Sequence, residues 1–161
     1  MDFLEHLPDL AVAEAVIEAA ARVASDFLFI RHPSFEGEAY LSALGLRQYW
    51  WHWTGHTAHI RVSDFCDIFE RLGLGQYAVR YREPIWDSSH PTILTADMPK
   101  NQRLYDPDRH APKPFVRFKE PVWRSQFIFV ALREFELAEW ARVTAVAAVG
   151  SPEHAVACAI E

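Results

Sequence analysis

Apolar residues recur at Leu10, Ala13, Val16, Ile17, Ala20, Val23, Ala24 and Phe27, the spacing of one buried helical face. Glu14, Glu18 and Arg22 fall on the other face at intervals of four, and Asp9 stands where its carboxylate can accept from the unpaired N–H groups of a first turn. The pattern predicts a helix over 9–25. Phe27-Leu28-Phe29-Ile30 is a short apolar run and predicts a buried strand. Ser34 and Glu36 open a short helix through Tyr40, Leu41 and Leu44, with Gly45 as its left-handed stop. Ser63 reads as the cap of a helix over 64–72 that buries Phe65, Ile68, Phe69 and Leu72 and pairs Asp67 with Arg71 one turn on. Gly73 and Gly75 end it. Over 76–83 the period changes to two, with Tyr77, Val79 and Tyr81 on one face and Ala78, Arg80 and Arg82 on the other, which predicts a strand.

Regularity then fails. Seven of the ten prolines lie between 84 and 121, and each removes a backbone donor. The expectation is a long Pro-rich loop over 84–114, kept ordered by its Trp-flanked ends, Ile85-Trp86 and Val122-Trp123, with Thr92-Ile93-Leu94-Thr95 as a short strand inside it. Residues 115–119 alternate, and 126–130 gather aromatic and β-branched side chains, so both read as strands. A helix over 135–149 stops at Gly150, and Ser151-Pro152-Glu153 opens a last short one with proline at its first position. The elements assemble into one α+β domain over 1–161. A small mixed sheet from 27–30, 76–83, 115–119 and 126–130 is covered by the helices 9–25, 64–72 and 135–149.

Composition narrows the class. The chain has 161 residues, half of them apolar and 24% charged, enough to bury roughly 70% of its unfolded surface. This excludes a disordered chain, a collagen and a disulfide scaffold. The start of the sequence lacks the basic and then apolar run of a secretory signal. The longest apolar stretches are broken by Glu and Arg, so no membrane span is expected. Cys66 and Cys158 read as reduced thiols, and the cytoplasm is the expected compartment.

The net charge of −6 is unevenly distributed. Residues 1–45 carry two basic and eight acidic side chains, 46–125 twelve and nine, and 126–161 two and five. The centre also holds five of the six Trp and five of the eight His. The acidic total argues against coating duplex nucleic acid, while the basic aromatic centre suits one small anionic ligand. Acidic flanks are also what ordinary amphipathic helices with solvated outer faces would show.

Within that centre, Trp50-Trp51-His52-Trp53-Thr54-Gly55-His56-Thr57-Ala58-His59 is the most unusual stretch. On a helix, His52, His56 and His59 would share one side, a face that zinc could use. Thr54, Gly55 and Thr57 disfavour that helix, and no Glu follows the first His as in metal-peptidase helices. Hydrogen-bonded or surface histidines along an aromatic wall are the alternative, and no metal is then expected. The tryptophans read as core, or as stacking groups for a base or nicotinamide ring near Arg80. No glycine-rich phosphate loop and no nucleophile elbow occurs. Asp106-Pro107-Asp108 reads as a solvated turn.

Three patterns stand in order: Trp50-Trp51-His52-Trp53 with His56, then Val79-Arg80-Tyr81, then Phe118-Lys119 with Trp123 and Gln126. Over about 46–130 the chain resembles an uncharacterised bacterial family associated with abortive-infection defence against phage and viewed as a distant relative of ADP-ribosyltransferases. That family carries a Trp-x-His-Tyr segment, a Val-x-Tyr strand and a Lys…Trp-x-x-Glu-x-Glu segment. Here Gln126-Phe127-Ile128 replaces the Glu pair. The resemblance therefore implies a pocket that binds a nucleotide or an acidic protein loop without turning it over, lined by Trp51, His52, Trp53, His56, Arg80, Lys119 and Trp123. His52 and Gln126 are the candidates for any residual chemistry. The leading expectation is a binding protein that docks to a protein partner, from a phage or mobile-element defence or anti-defence system, with no cofactor. The second is an enzyme-like module for an NAD-like nucleotide, and the third a zinc hydrolase using His52, His56 and His59. Assembly with copies of itself stays open.

Overall fold

The computed structural model describes residues 3–145 and a two-residue strand at 155–156. Asp9 caps helix α1 (Leu10–Val23) through a bond from the Val12 N–H to its Oδ1 at 2.9 Å, a contact that contributes about 1 kcal/mol. Strand β1 (Phe27–Pro33) follows with strict alternation, Leu28, Ile30 and His32 buried and Phe27, Phe29 and Arg31 exposed. Helix α2 (Glu38–Ala43) ends at Gly45, whose φ of 68° is the left-handed stop its sequence predicts. Strand β2 (Leu46–Gln48) runs into a single 3-10 turn, Tyr49–His52.

Helix α3 (Val62–Arg71) starts earlier than expected, and Ser63 is not its cap. The free N–H groups of Arg61 and Val62 donate instead to Asp64 at 2.8 Å and Glu36 at 2.6 Å. Arg71 grips Glu14 with two donors, at 2.8 and 3.2 Å, and so ties α3 to α1.

Strand β3 (Tyr77–Asp87) continues through Pro84 into the stretch expected to be loop. The two strands expected at 115–119 and 126–130 are one long strand, β5 (Arg117–Ala131). Pro121 is tolerated because the β3–β5 pairing shifts register between Ile85 and Asp87, opposite that part of β5, where the ladder is already interrupted. The shorter β4 (Ile93–Thr95) pairs with β2. Helix α4 (Leu137–Ala145) covers the start of the helix expected over 135–149; the rest of that helix and the one expected from Ser151 lie outside the described residues. Strand β6 (Ala155–Val156) joins the edge of β3.

The main sheet has the order β1-β5-β3-β6, and β2-β4 forms a second one. All pairings are antiparallel, so the α+β class holds but the sheet is not mixed. The physical reason is strand order: β1 and β3 run in the same direction across a helical connection, but β5 lies between them and runs against both, so the described neighbours are all antiparallel. One core lies between this sheet and helices α1 and α3, with Ile17, Ile30, Phe65, Phe69, Val79 and Ile128 at its centre. A second fills the far end of β3 and β5 with Phe35, Leu41, Leu46, Trp50, Trp51 and Ile93. A third, Ala78, Phe129 and Trp140, seats α4 on the opposite face of the sheet. Strands β3 and β5 take part in all three, which makes one domain of them.

The remaining Pro-rich segment is held by two cations. Arg47, 1% exposed, donates from Nη2 to the carbonyls of Met98 (3.2 Å) and Pro99 (2.9 Å). Lys113 donates to those of His90 (2.9 Å) and Ile93 (2.7 Å) and lies 4.4 Å from the Tyr105 ring centre. Burial lowers the Lys113 ammonium to about 8.

Candidate functional site

The far end of the long β3–β5 pair extends beyond β1, which reaches only to Ser125. Helix α2 flanks this extension. Gly37 lets it come close: a Cβ there would lie 3.0 Å from Cγ1 of Val122. The Tyr40 hydroxyl accepts from the Lys119 N–H at 3.3 Å, and its ring meets Phe118 edge-on at 5.9 Å. Between helix and strands opens a groove of about 860 Å³, walled by Tyr40, Tyr81, Trp86, Pro121, Val122 and Trp123, with Glu36, Lys119 and Glu120 as its charged groups. Tyr81 and Trp123 stack at 5.7 Å, and Trp86 is 49% exposed. Two of the expected ligand residues, Lys119 and Trp123, therefore sit here.

The others do not join them. Trp50 and Trp51 are 2% exposed, and both indole N–H groups donate to the Ser34 carbonyl, at 2.9 and 3.2 Å. These two rings are core with their polar handles satisfied. His52 is exposed at the end of the 3-10 turn, and burial of its ring, then the Arg47 charge, keep it below the usual imidazole range. Trp53 is half-buried and meets Tyr49 edge-on at 6.0 Å. Arg80 follows Ala78 on the α4 side of the sheet, away from Val79. Gln126 is fully buried in a row with His32 on β1 and Tyr81 on β3. His52, Trp53, Arg80 and Gln126 line neither this groove nor the smaller pocket described next. The two pockets described do not bring them together.

The expected zinc face of His52, His56 and His59 is also dispersed, because 53–61 is not helical. His59 stacks on Phe35 at 4.4 Å beside Glu38. His56 turns instead to a 3-10 turn near the N-terminus, Leu4–His6, and meets the His6 ring edge-on at 4.8 Å. Burial holds His56 below the usual imidazole range. A polar pocket of about 180 Å³ lies against it, lined among others by Glu5, Arg31, Tyr49, Glu83 and Arg124. Glu83 has φ 57° and pairs with Arg124 at 3.4 Å. A non-glycine residue in this conformation is strained, and such strain gathers at functional positions.

Glu5, His6, Tyr40, Tyr81 and Trp86 escape sequence reasoning as site residues. Glu5 and His6 stand some fifty residues from His56, and no spacing rule joins them. The exposed aromatics differ from core ones only in what the fold leaves uncovered. Among the described residues, no helix is long and apolar enough to cross a membrane. Compared with family models, curated proteins and solved structures, the chain matches none.

Proposed function

We propose that this chain is a binding protein that holds an extended, proline-containing basic segment of a protein partner in the groove between α2 and the β3–β5 extension. The observation that carries the reading is the wall of Tyr40, Tyr81, Trp86 and Trp123 along one open groove. Flat rings along a groove suit the polyproline II helix, which is preformed and loses little entropy on docking. Glu36 and Glu120 at the groove, and a chain of net charge −6, favour lysine or arginine in that segment. The resemblance carried by Trp50 to Trp53, Val79 to Tyr81 and Lys119 to Trp123 supports a place in a bacterial phage-defence or anti-defence system, acting in the cytoplasm by capture rather than by turnover.

A peptide array of proline-rich segments tests this, with hits quantified by fluorescence anisotropy. Basic segments bind saturably. Exchange of their Lys or Arg for Glu weakens binding at least tenfold, as does Trp86→Ala or Trp123→Ala in a protein whose circular dichroism is unchanged. An array without hits, or hits indifferent to both ring removals, overturns the reading.

A further inference from the structure

We propose that Glu5, His6 and His56 bind one divalent transition-metal ion of the zinc class, with a coordination position left open to the small polar pocket. One ligand atom from each of the three lies within 4.8 Å of the others. Two imidazoles and a carboxylate are a donor set that zinc takes at sites where the fourth position receives water or substrate.

The two segments that supply these donors are joined by backbone. The N–H groups of Thr57 and Ala58 both donate to the Glu5 carbonyl, at 2.9 and 3.1 Å, and the Thr57 hydroxyl donates to the Leu7 carbonyl. This fixes His56 beside the turn that carries Glu5 and His6.

The histidines are oriented as ligands. Nδ1 of His6 donates to the Gly55 carbonyl at 2.6 Å, and Nδ1 of His56 donates to the Trp50 carbonyl at 3.0 Å. A carbonyl only accepts, so each Nδ1 carries the proton and each Nε2 offers its lone pair. A carbonyl behind a ring in this way sets the tautomer and direction of metal-bound imidazoles. Nε2 of His6 lies 3.8 Å from Oε1 of Glu5. Ligand bonds of about 2.0–2.2 Å bring donor atoms to roughly 3.3–3.5 Å from one another, so side-chain rotation of about an ångström closes the set.

Glu5 is 5% exposed and supplies the one negative charge of the set. Glu5 and His56 also line the polar pocket, where Arg31 and Arg124 stand.

Zinc titration of the chelator-stripped full chain by calorimetry, followed by cobalt(II) substitution, tests the site. One ion binds per chain, and cobalt gives the intense visible absorption of a four- or five-coordinate centre. His6→Ala and His56→Ala each weaken binding at least tenfold. Glu5→Gln, which keeps the side-chain volume, also weakens it, so the test survives if Glu5→Ala does not fold. His52→Ala and His59→Ala leave affinity unchanged. No saturable zinc binding by the folded wild type, or equal loss in His52→Ala, overturns the proposal. Failure of peptide binding at the groove leaves these readouts untouched.

Discussion

His32 on β1 and Gln126 on β5 stand directly opposite one another, both fully buried, and neither side chain bonds to the other. His32 uses Nδ1 on the Pro33 carbonyl at 2.8 Å, while its Nε2 and both amide atoms of Gln126 reach no hydrogen-bond partner among the described residues. Burial drives the His32 imidazole down to about 3.

That burial makes the fold sensitive to mild acid. The unfolded chain takes up a proton on this histidine near pH 6.5, and the folded chain does not until about 3. Stability is therefore lost as pH falls below about 6.5, by about 1.4 kcal/mol per pH unit for one such group. His52, His56 and His90 shift in the same direction and add to the slope. Urea unfolding at pH 7, 6 and 5 checks this. His32→Leu should flatten the slope, and an unchanged slope in that variant refutes the assignment.

Gln126 sets a second expectation. An amide with no partner in the interior costs about 1–3 kcal/mol, and an apolar side chain of similar volume removes that cost. Gln126→Met should raise the unfolding midpoint. Gln126→Glu, which introduces the acid of the resembled family, should lower stability by several kcal/mol at neutral pH, since it buries a charge. A midpoint for Gln126→Met well below wild type would show that the amide is satisfied.

The close approach at Gly37 gives a third. Gly37→Ala places a methyl 3.0 Å from Val122, and overpacking of this kind costs about 1–3 kcal/mol. It should also shift α2 away from β5 and change the groove. Peptide binding weakens while zinc affinity holds, because Glu5, His6 and His56 lie elsewhere. Equal loss of both would mean global damage.

Arg47 gives the fourth. Arg47→Met removes the donor that holds the Met98 and Pro99 carbonyls but keeps an apolar stem in the core. Replacing a buried charge by an apolar side chain is often neutral or better for global stability. The segment 96–116 should therefore be cut faster by protease, with the thermal midpoint nearly unchanged. Cleavage at the wild-type rate would show that the loop is held by other contacts.

Much of the fold is legible in the order of residues because its rules are local. Asp9 and Gly45 act within one turn of their own position, and the alternation of Tyr77, Ala78 and Val79 sorts side chains to two faces without any partner being known. Pro84 and Pro121 mislead for the same reason. Read locally they break strands, yet both lie in strands here, Pro121 beside an interrupted ladder. The paired lysine-and-tryptophan signal at Lys119 and Trp123 does reach the groove, while His52, Arg80 and Gln126 go to three different surroundings.

By itself the sequence determined the helices among the described residues, most strands, the α+β class and a Trp- and His-rich centre, because periodicity and capping depend on neighbours a few residues away. Only the tertiary structure decided which of those rings are core and which are open. Trp50 and Trp51 share the Ser34 carbonyl inside, whereas Trp86 is left at the groove. It also dispersed the three spaced histidines and gathered Glu5, His6 and His56 instead. Burial and convergence are properties of chain segments brought together across some fifty residues or more, and no local pattern carries them.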